Sequence, residues 1–423
     1  MRDRAPSVAV LSSAPSGGAG IAAKRLAEAL AGHGVACDFI DIAALGENVP
    51  EDARPSRSFS NRTVTDTHFT VEHPGFCRGW LVEMLAAYDI VNVHWALGLI
   101  ALEEMAALAR RGVTLVLTLH DFHYVSGGCH YPAGCGGMAV GCHACPQIDR
   151  SLASLTVPPR ARRFKEALFA HAGVHLTAPS HYVRDGAVAT RIVPPGRAHV
   201  IRNAYQPLSP APAAREGGAV RLMLIADSLA ERRKNMRLAL EALALLAARL
   251  AAREDAPEVV LDLVGASDAE VTGLVHETGL PATQHGRIAE HAAITEIYRR
   301  ADLLLTPSLE DNWPNILVEA GVYGVLPVAG PGHGCEEFIR SFDFGVVAGA
   351  YTVDAFADAL ERAVDRLAPG GAAHERLAGP RAEAARAIRI AHAPDRIAGR
   401  FLRRLAPPAG ASVPAAPLTE PAL

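Results

Sequence analysis

Lysine is nearly missing from this 423-residue chain: only Lys24, Lys165 and Lys234 occur, and arginine supplies the other cations. There is no excess of positive charge either, since 41 basic residues face 45 acidic ones and leave a formal net charge of -4. That balance offers no general field to recruit nucleic acid. No run of about 20 apolar residues without charge occurs, so nothing is expected to span a membrane as a helix. Met1 to Pro6 is charged and has no apolar signal core, which predicts a cytoplasmic protein. In that reducing compartment the seven cysteines are expected as thiols or metal ligands rather than disulfides.

Half of the residues are hydrophobic and a fifth are charged, as in a globular protein. The chain is too long for one ordinary core and predicts two α/β domains of about 200 residues each. Short β-branched or apolar runs (Ser7 to Leu11, Val35 to Ile42, Ile90 to His94, Val113 to Leu119, Val174 to Ala178) read as strands. Amphipathic stretches such as Ile21 to Ala31 and Leu99 to Arg111 read as helices between them. Such alternation predicts a parallel sheet covered on both faces. The Pro-, Ala- and Gly-rich segment 205–218 is the expected linker. Beyond it the pattern restarts, with strands at Val220 to Ala226, Val259 to Val264, Leu303 to Thr306 and Leu326 to Ala329. Helices are expected at Met236 to Leu250, Ala292 to Arg300 and Ile316 to Tyr323. The predicted domains are therefore 1–204 and 219–392, with a disordered tail at 407–423.

Ligands of open parallel sheets bind outside the carboxyl ends of the strands, so the loops there carry the functional expectations. After the first strand, Ser16-Gly17-Gly18-Ala19-Gly20 lets backbone approach an anion at a helix start, or forms a plain tight turn. His120-Asp121 closes a very apolar strand; His120 either meets a substrate hydroxyl or is tied down by local backbone groups. His94-Trp95 ends the preceding strand in the same way. In Glu310-Asp311-Asn312-Trp313-Pro314-Asn315, Pro314 suits a first helical turn, which aims the N–H groups near Asn315 and Ile316 at a diphosphate. An acidic helix start is the plainer account of Glu310 and Asp311, but it leaves Glu319 unexplained. Arg232-Arg233-Lys234 at a helix start opposes the helix dipole; a bound anion explains it, and so does a solvated face.

Cys129, Cys135, Cys142 and Cys145 fall within 17 residues, in the Gly-rich loop 123–147. Cys142-x-x-Cys145 has the spacing of a metal knuckle, and four thiolates would close a structural zinc site. Free thiols, disulfides and an iron–sulfur cluster remain alternatives. Four protein ligands leave no open position, so catalytic zinc is not expected.

From Pro307-Ser308 to Gly324 the chain resembles family-four retaining glycosyltransferases of the GT-B fold. Asp311, seven residues, Glu319-Ala320, then Gly324-x-x-Pro327-Val328 is similar to that family's E-x7-E signature. Gly17-Gly18-Ala19-Gly20-Ile21, Ala178-Pro179-Ser180 and Val200-Ile201-Arg202-Asn203-Ala204 agree. The run from His120-Asp121-Phe122 through Cys129-His130-Tyr131 to Cys145-Pro146-Gln147 resembles a subgroup linked to colanic-acid and other exopolysaccharide assembly.

The resemblance implies two facing Rossmann-like domains across a cleft, with a closing helix at 393–406 that crosses back to the first. It implies that Glu319 holds the ribose hydroxyls and that Asp311 contacts the donor sugar. Backbone N–H groups of Trp313, Asn315, Ile316 and Leu317 would meet the diphosphate and sugar. Lys234 and Arg233 would neutralise the leaving diphosphate, His120 would reach the sugar near the reacting carbon, and Gly18 and Gly20 would line the phosphates. Two departures stand out: aspartate replaces the first glutamate of the signature, and Ser228-Leu229 stand where the family has an arginine.

The implied activity is transfer of a hexose from a nucleotide-diphosphate sugar to a saccharide or lipid-linked saccharide, with retention and without a catalytic cofactor. A sugar-nucleotide epimerase of the same architecture and a non-catalytic nucleotide-sugar binder are the rival readings. Arg54, Arg57 and Arg62 lie on a polar loop, read first as solvated and second as a contact with anionic lipid at the inner membrane.

Overall fold

The computed structural model describes residues 5–45, 56–59, 68–72, 75–148, 152–208, 218–368 and 372–406. Arg54, Arg62, residues 209–217 of the expected linker and the tail from 407 lie outside the described residues, as does the Arg57 side chain. The described chain divides into two units, one running to Ala204 and resuming at Pro394, the other covering Tyr205–Ala393.

In the first unit the strands are β1 (Val8–Leu11), β2 (Cys37–Ile40), β3 (Ser56–Phe59), β4 (Phe69–Glu72), β5 (Ile90–Val93), β6 (Thr114–Thr118), β7 (Val174–Ala178) and β8 (Ala198–Val200). Six of them form one parallel sheet in the order β2-β1-β5-β6-β7-β8, while β3 and β4 pair as an antiparallel hairpin. β1, β5 and β6 are buried throughout, which is why they read as unbroken apolar runs rather than alternating ones. The helix Gly17–Gly32 turns Ala23, Leu26 and Leu30 toward the sheet. The helix Pro394–Leu405 returns to this unit and buries Ile397, Phe401 and Leu405 in the same cluster.

The second unit holds β9 (Val220–Ser228), β10 (Val259–Ala266), β11 (Ala282–Gly286), β12 (Leu303–Thr306), β13 (Leu326–Ala329) and β14 (Val346–Val347). Their order, β11-β10-β9-β12-β13-β14, is the doubly wound arrangement of a Rossmann-like sheet. From β9 the chain moves outward to β10, and from β12 it moves the opposite way to β13, so the winding reverses between β9 and β12. Loops leaving these two strands splay apart and open a crevice at their carboxyl ends. Among the described residues no helix is long and apolar enough to cross a membrane.

Candidate functional site

The reversal point of the second unit gathers the residues singled out there. The loop after β9 makes a short 3-10 turn, Arg232–Lys234, that ends on Asn235 in the left-handed region at φ 55°. The loop after β12 is laced to it, because Leu309 N–H donates to the Arg233 carbonyl at 2.9 Å. Two cations thereby meet one carboxylate: Lys234 Nζ lies 2.6 Å and Arg233 Nη1 3.2 Å from Asp311 Oδ2. Arg233 also donates to the Glu310 carbonyl and pairs with Glu231. Burial works against the Asp311 carboxylate, yet Lys234 and then Arg233 beside it hold it at about 2. The resemblance implies these cations on a diphosphate and Asp311 on a sugar; in the structure both cations pair with Asp311, and Arg233 pairs with Glu231 as well.

Backbone packing fixes the loop that carries Asp311. Gly334, at the start of the helix His333–Phe342, donates its N–H to the Asp311 carbonyl at 2.8 Å. A Cβ on Gly334 would stand 1.5 Å from the Asn312 carbonyl oxygen, so only glycine fits. Trp313 is buried against Phe338 and stacks on His392, which makes its ring core rather than ligand surface.

Two details differ from expectation. Pro314 is the N-cap of the helix Asn315–Gly321 and not its first turn, with ψ 131° keeping it extended. Leu317 N–H is already spent on the Pro314 carbonyl at 3.1 Å, so it is not one of the donors aimed outward. Asn315 and Ile316 open the helix as expected. Glu319, one face further along, is 8% exposed and accepts a hydrogen bond from Tyr298 at 3.0 Å. Sequence reasoning missed Tyr298, which sits on the helix His291–Arg300 and reads there as one more apolar-face residue.

In the first unit the winding reverses between β1 and β5, and the glycine loop follows β1. A Cβ on Gly20 would lie 2.2 Å from the Ala14 carbonyl oxygen, whereas one on Gly18 would meet nothing within 4 Å. Gly20 is thus accounted for by the tight turn itself. Ser13 N–H donates to the Trp95 carbonyl and ties this loop to the end of β5.

His120 and Asp121, adjacent in sequence, serve different neighbours. His120 Nε2 is 2.8 Å from His94 Nδ1, and His94 Nε2 is 2.8 Å from Asn92 Oδ1. Burial pushes His120 down to about 4 despite the opposing Asp121 charge, and drives His94 well below the usual imidazole range. Asp121 turns away into the loop: Oδ2 is 2.6 Å from His130 Nδ1, and Oδ1 accepts the His123 N–H at 2.8 Å. His123 stacks on His130 at 4.8 Å and pairs with Glu72, and Lys165 Nζ donates to the His123 and Ser126 carbonyls. Asp121 therefore anchors the cysteine-rich loop rather than facing a ligand.

Cys129, Cys135, Cys142 and Cys145 line one pocket, with Gly127 N–H directed at Cys142 Sγ and Gly137 N–H at Cys135 Sγ. Burial raises the thiols of Cys129, Cys142 and Cys145. Among the described residues no three His, Cys, Asp or Glu side chains are placed to hold one ion. As they stand, the four cysteines share a pocket but do not converge as a tetrahedral zinc site requires.

Residues 221–367 match the family model described as glycosyl transferases group 1, and residues 16–207 match glycosyltransferase family 4. The Escherichia coli K12 protein WcaC, named as a colanic acid biosynthesis glycosyl transferase, is 28% identical over 243 residues. That match covers 54% of each protein, so the chain spans about half the length of the curated relative it matches. Among solved structures, HepE of Anabaena in complex with UDP and glucose aligns at TM-score 0.60 and 15% identity, over 95% of this chain and 99% of that one. Sucrose-phosphate synthase of Thermosynechococcus elongatus aligns at TM-score 0.58 and 17% identity, over 95% and 99%. With one family model on each of the two sheets, and neighbours that align along nearly their whole length, the chain belongs to the group 1, family 4 glycosyltransferases and has their two-domain GT-B fold.

Proposed function

We propose that this protein moves a hexose from a nucleotide-diphosphate sugar to a saccharide or lipid-linked saccharide in exopolysaccharide assembly, with retention of anomeric configuration. The observation that carries this reading is the convergence of Lys234 and Arg233 on Asp311 at the reversal point between β9 and β12. A buried arginine and a half-buried lysine at the carboxyl edge of a Rossmann-like sheet suit a dianionic diphosphate better than any neutral ligand. Asp311 holds them in place until that anion arrives, and afterwards its carboxylate turns to a sugar hydroxyl.

In this reading Glu319 takes the ribose hydroxyls, and the N–H groups of Asn315 and Ile316 add to the anion site. The bond between the sugar's anomeric carbon and the diphosphate oxygen breaks while the acceptor oxygen bonds to that carbon on the same face. The acceptor's proton passes to the departing phosphate oxygen, so atoms and charge balance without a separate base. Lys234 and Arg233 stabilise the negative charge that develops on the leaving group. The roles of His120 at a sugar hydroxyl and of Gly18 near the phosphates rest on the family resemblance. The Escherichia coli relative's name supports exopolysaccharide assembly, and the UDP in the HepE structure makes a uridine donor the first to try.

The test is a thermal-shift series with UDP-, GDP- and ADP-sugars on the wild type and on Glu319→Ala. Stabilisation by several degrees with one base, lost in the variant, is the expected result. A folded wild type that none of the three stabilises overturns the reading.

A further inference from the structure

Asn92, His94 and His120 form a row with a direction, and its source is a backbone carbonyl. Asn92 lies on β5 and is fully buried. Its Nδ2 donates to the Val116 carbonyl at 3.0 Å and to Thr118 Oγ1 at 2.7 Å. A carbonyl can only accept, so the amide cannot be turned the other way, and the atom facing His94 is Oδ1. Oδ1 can only accept in its turn, so His94 Nε2 carries the hydrogen of their 2.8 Å bond. A neutral imidazole protonated at Nε2 has a bare Nδ1. The His94 ring is 2% exposed, in a setting that strongly disfavours a second proton. His94 Nδ1 therefore accepts, and the hydrogen of the 2.8 Å contact with His120 belongs to His120 Nε2. The two rings lie nearly parallel, 28° apart with centroids at 5.0 Å, so the second cannot rotate to offer its other nitrogen without losing the bond.

We infer that Asn92 and His94 are positioning residues that lock His120 as the neutral Nε2–H tautomer and so make its Nδ1 a hydrogen-bond acceptor. The consequence for ligands rests on the glycosyltransferase reading above. A histidine of this tautomer takes a hydrogen from an uncharged hydroxyl of a sugar and repels a phosphate oxygen. His120 then selects for a hydroxyl-bearing donor or acceptor carbon and takes no part in protonating the leaving diphosphate. Asn92 to His120 lie within one unit of the fold, so the lock is present before any ligand binds.

The experiment is side-chain nitrogen NMR on the whole chain with 15N-labelled histidine at neutral pH, using His120→Asn to assign the His120 signals. A protonated Nε2 with a bare Nδ1 on His120 is expected; a proton on Nδ1, or on both nitrogens, overturns the inference. Asn92→Asp supplies a second arm. Its carboxylate favours a cationic His94, whose Nδ1–H would donate to His120 and shift the His120 proton to Nδ1. A folded Asn92→Asp protein whose His120 keeps its Nε2–H shows that His94 does not transmit the setting, and this also overturns the inference. If that variant does not fold, the wild-type spectrum still decides. Neither arm reads activity, so failure of the transferase reading is distinguished by the nucleotide thermal-shift series.

Discussion

Tyr298 and Glu319 are joined by one hydrogen bond: the phenolic O–H donates to Glu319 Oε2 at 3.0 Å, from a ring with no exposed surface. The bond orients the Glu319 carboxylate within the site. Tyr298→Phe keeps the packing and removes the donor. It is expected to weaken nucleotide-sugar binding about 5- to 10-fold, the equivalent of about 1 to 1.4 kcal/mol, the scale of one ordinary hydrogen bond. Calorimetric titration checks this, and an unchanged affinity in a folded variant would rule out an orienting role.

Asp311→Asn leaves Arg233 and Lys234 facing each other without their shared counter-charge. Breaking a buried ion group in this way costs roughly 3 to 5 kcal/mol. A marked fall in melting temperature is expected, partly restored by pyrophosphate, which replaces the missing negative charge. A variant as stable as the wild type means that the triad is not an ion site.

Acid stability follows from the same group. The folded pKa of Asp311 is depressed to about 2, below the roughly 3.9 of an unfolded aspartate. A depressed acid stabilises the fold fully above the unfolded value, and this contribution is lost as pH falls from about 4 toward 2. Glu72 and Asp121, also held at about 2, act in that window too. Denaturant unfolding of Asp311→Asn is therefore expected to show a shallower loss of stability between pH 4 and pH 2 than the wild type. Parallel curves would contradict the assignment.

The two glycines of the first loop are expected to part company. Gly20→Ala forces a methyl within 2.2 Å of the Ala14 carbonyl and should lower the melting temperature by several degrees. Gly18→Ala meets open space and should leave stability within about 0.5 kcal/mol of wild type while reducing turnover. Loss of turnover measured beside an unchanged melting curve is the signature of a backbone that approaches a ligand.

Much of this fold was legible because its strands are buried on both faces. β7, β12 and β13 have the bounds their apolar runs predict, and the helix Met236–Ala251 differs from expectation by one residue. β11 escaped because Ala-Thr-Gln-His-Gly is exposed along its length and carries no apolar signal. The helix Leu152–Ala170 holds Pro158 and Pro159, residues that normally argue against a helix. Of the site, Lys234, Asp311 and Glu319 could be found from their spacing, but spacing does not say that Lys234 would be neutralised by Asp311. Asn92 was findable: it sits two residues before His94, on the same face of a strand. The cysteine spacing indicated a knuckle, whereas side-chain rotation, which no spacing fixes, decides whether four sulfurs meet at a point.

Gly334 has no side chain to offer a ligand, yet a Cβ there would lie 1.5 Å from the Asn312 carbonyl oxygen. In a complete substitution survey this position should tolerate nothing, while Gly18 should accept alanine at the level of abundance. A map of intolerance drawn on this protein would therefore mark where two backbones touch as strongly as where a bond is made. Separating the two requires reading protein abundance and product formation for the same variants.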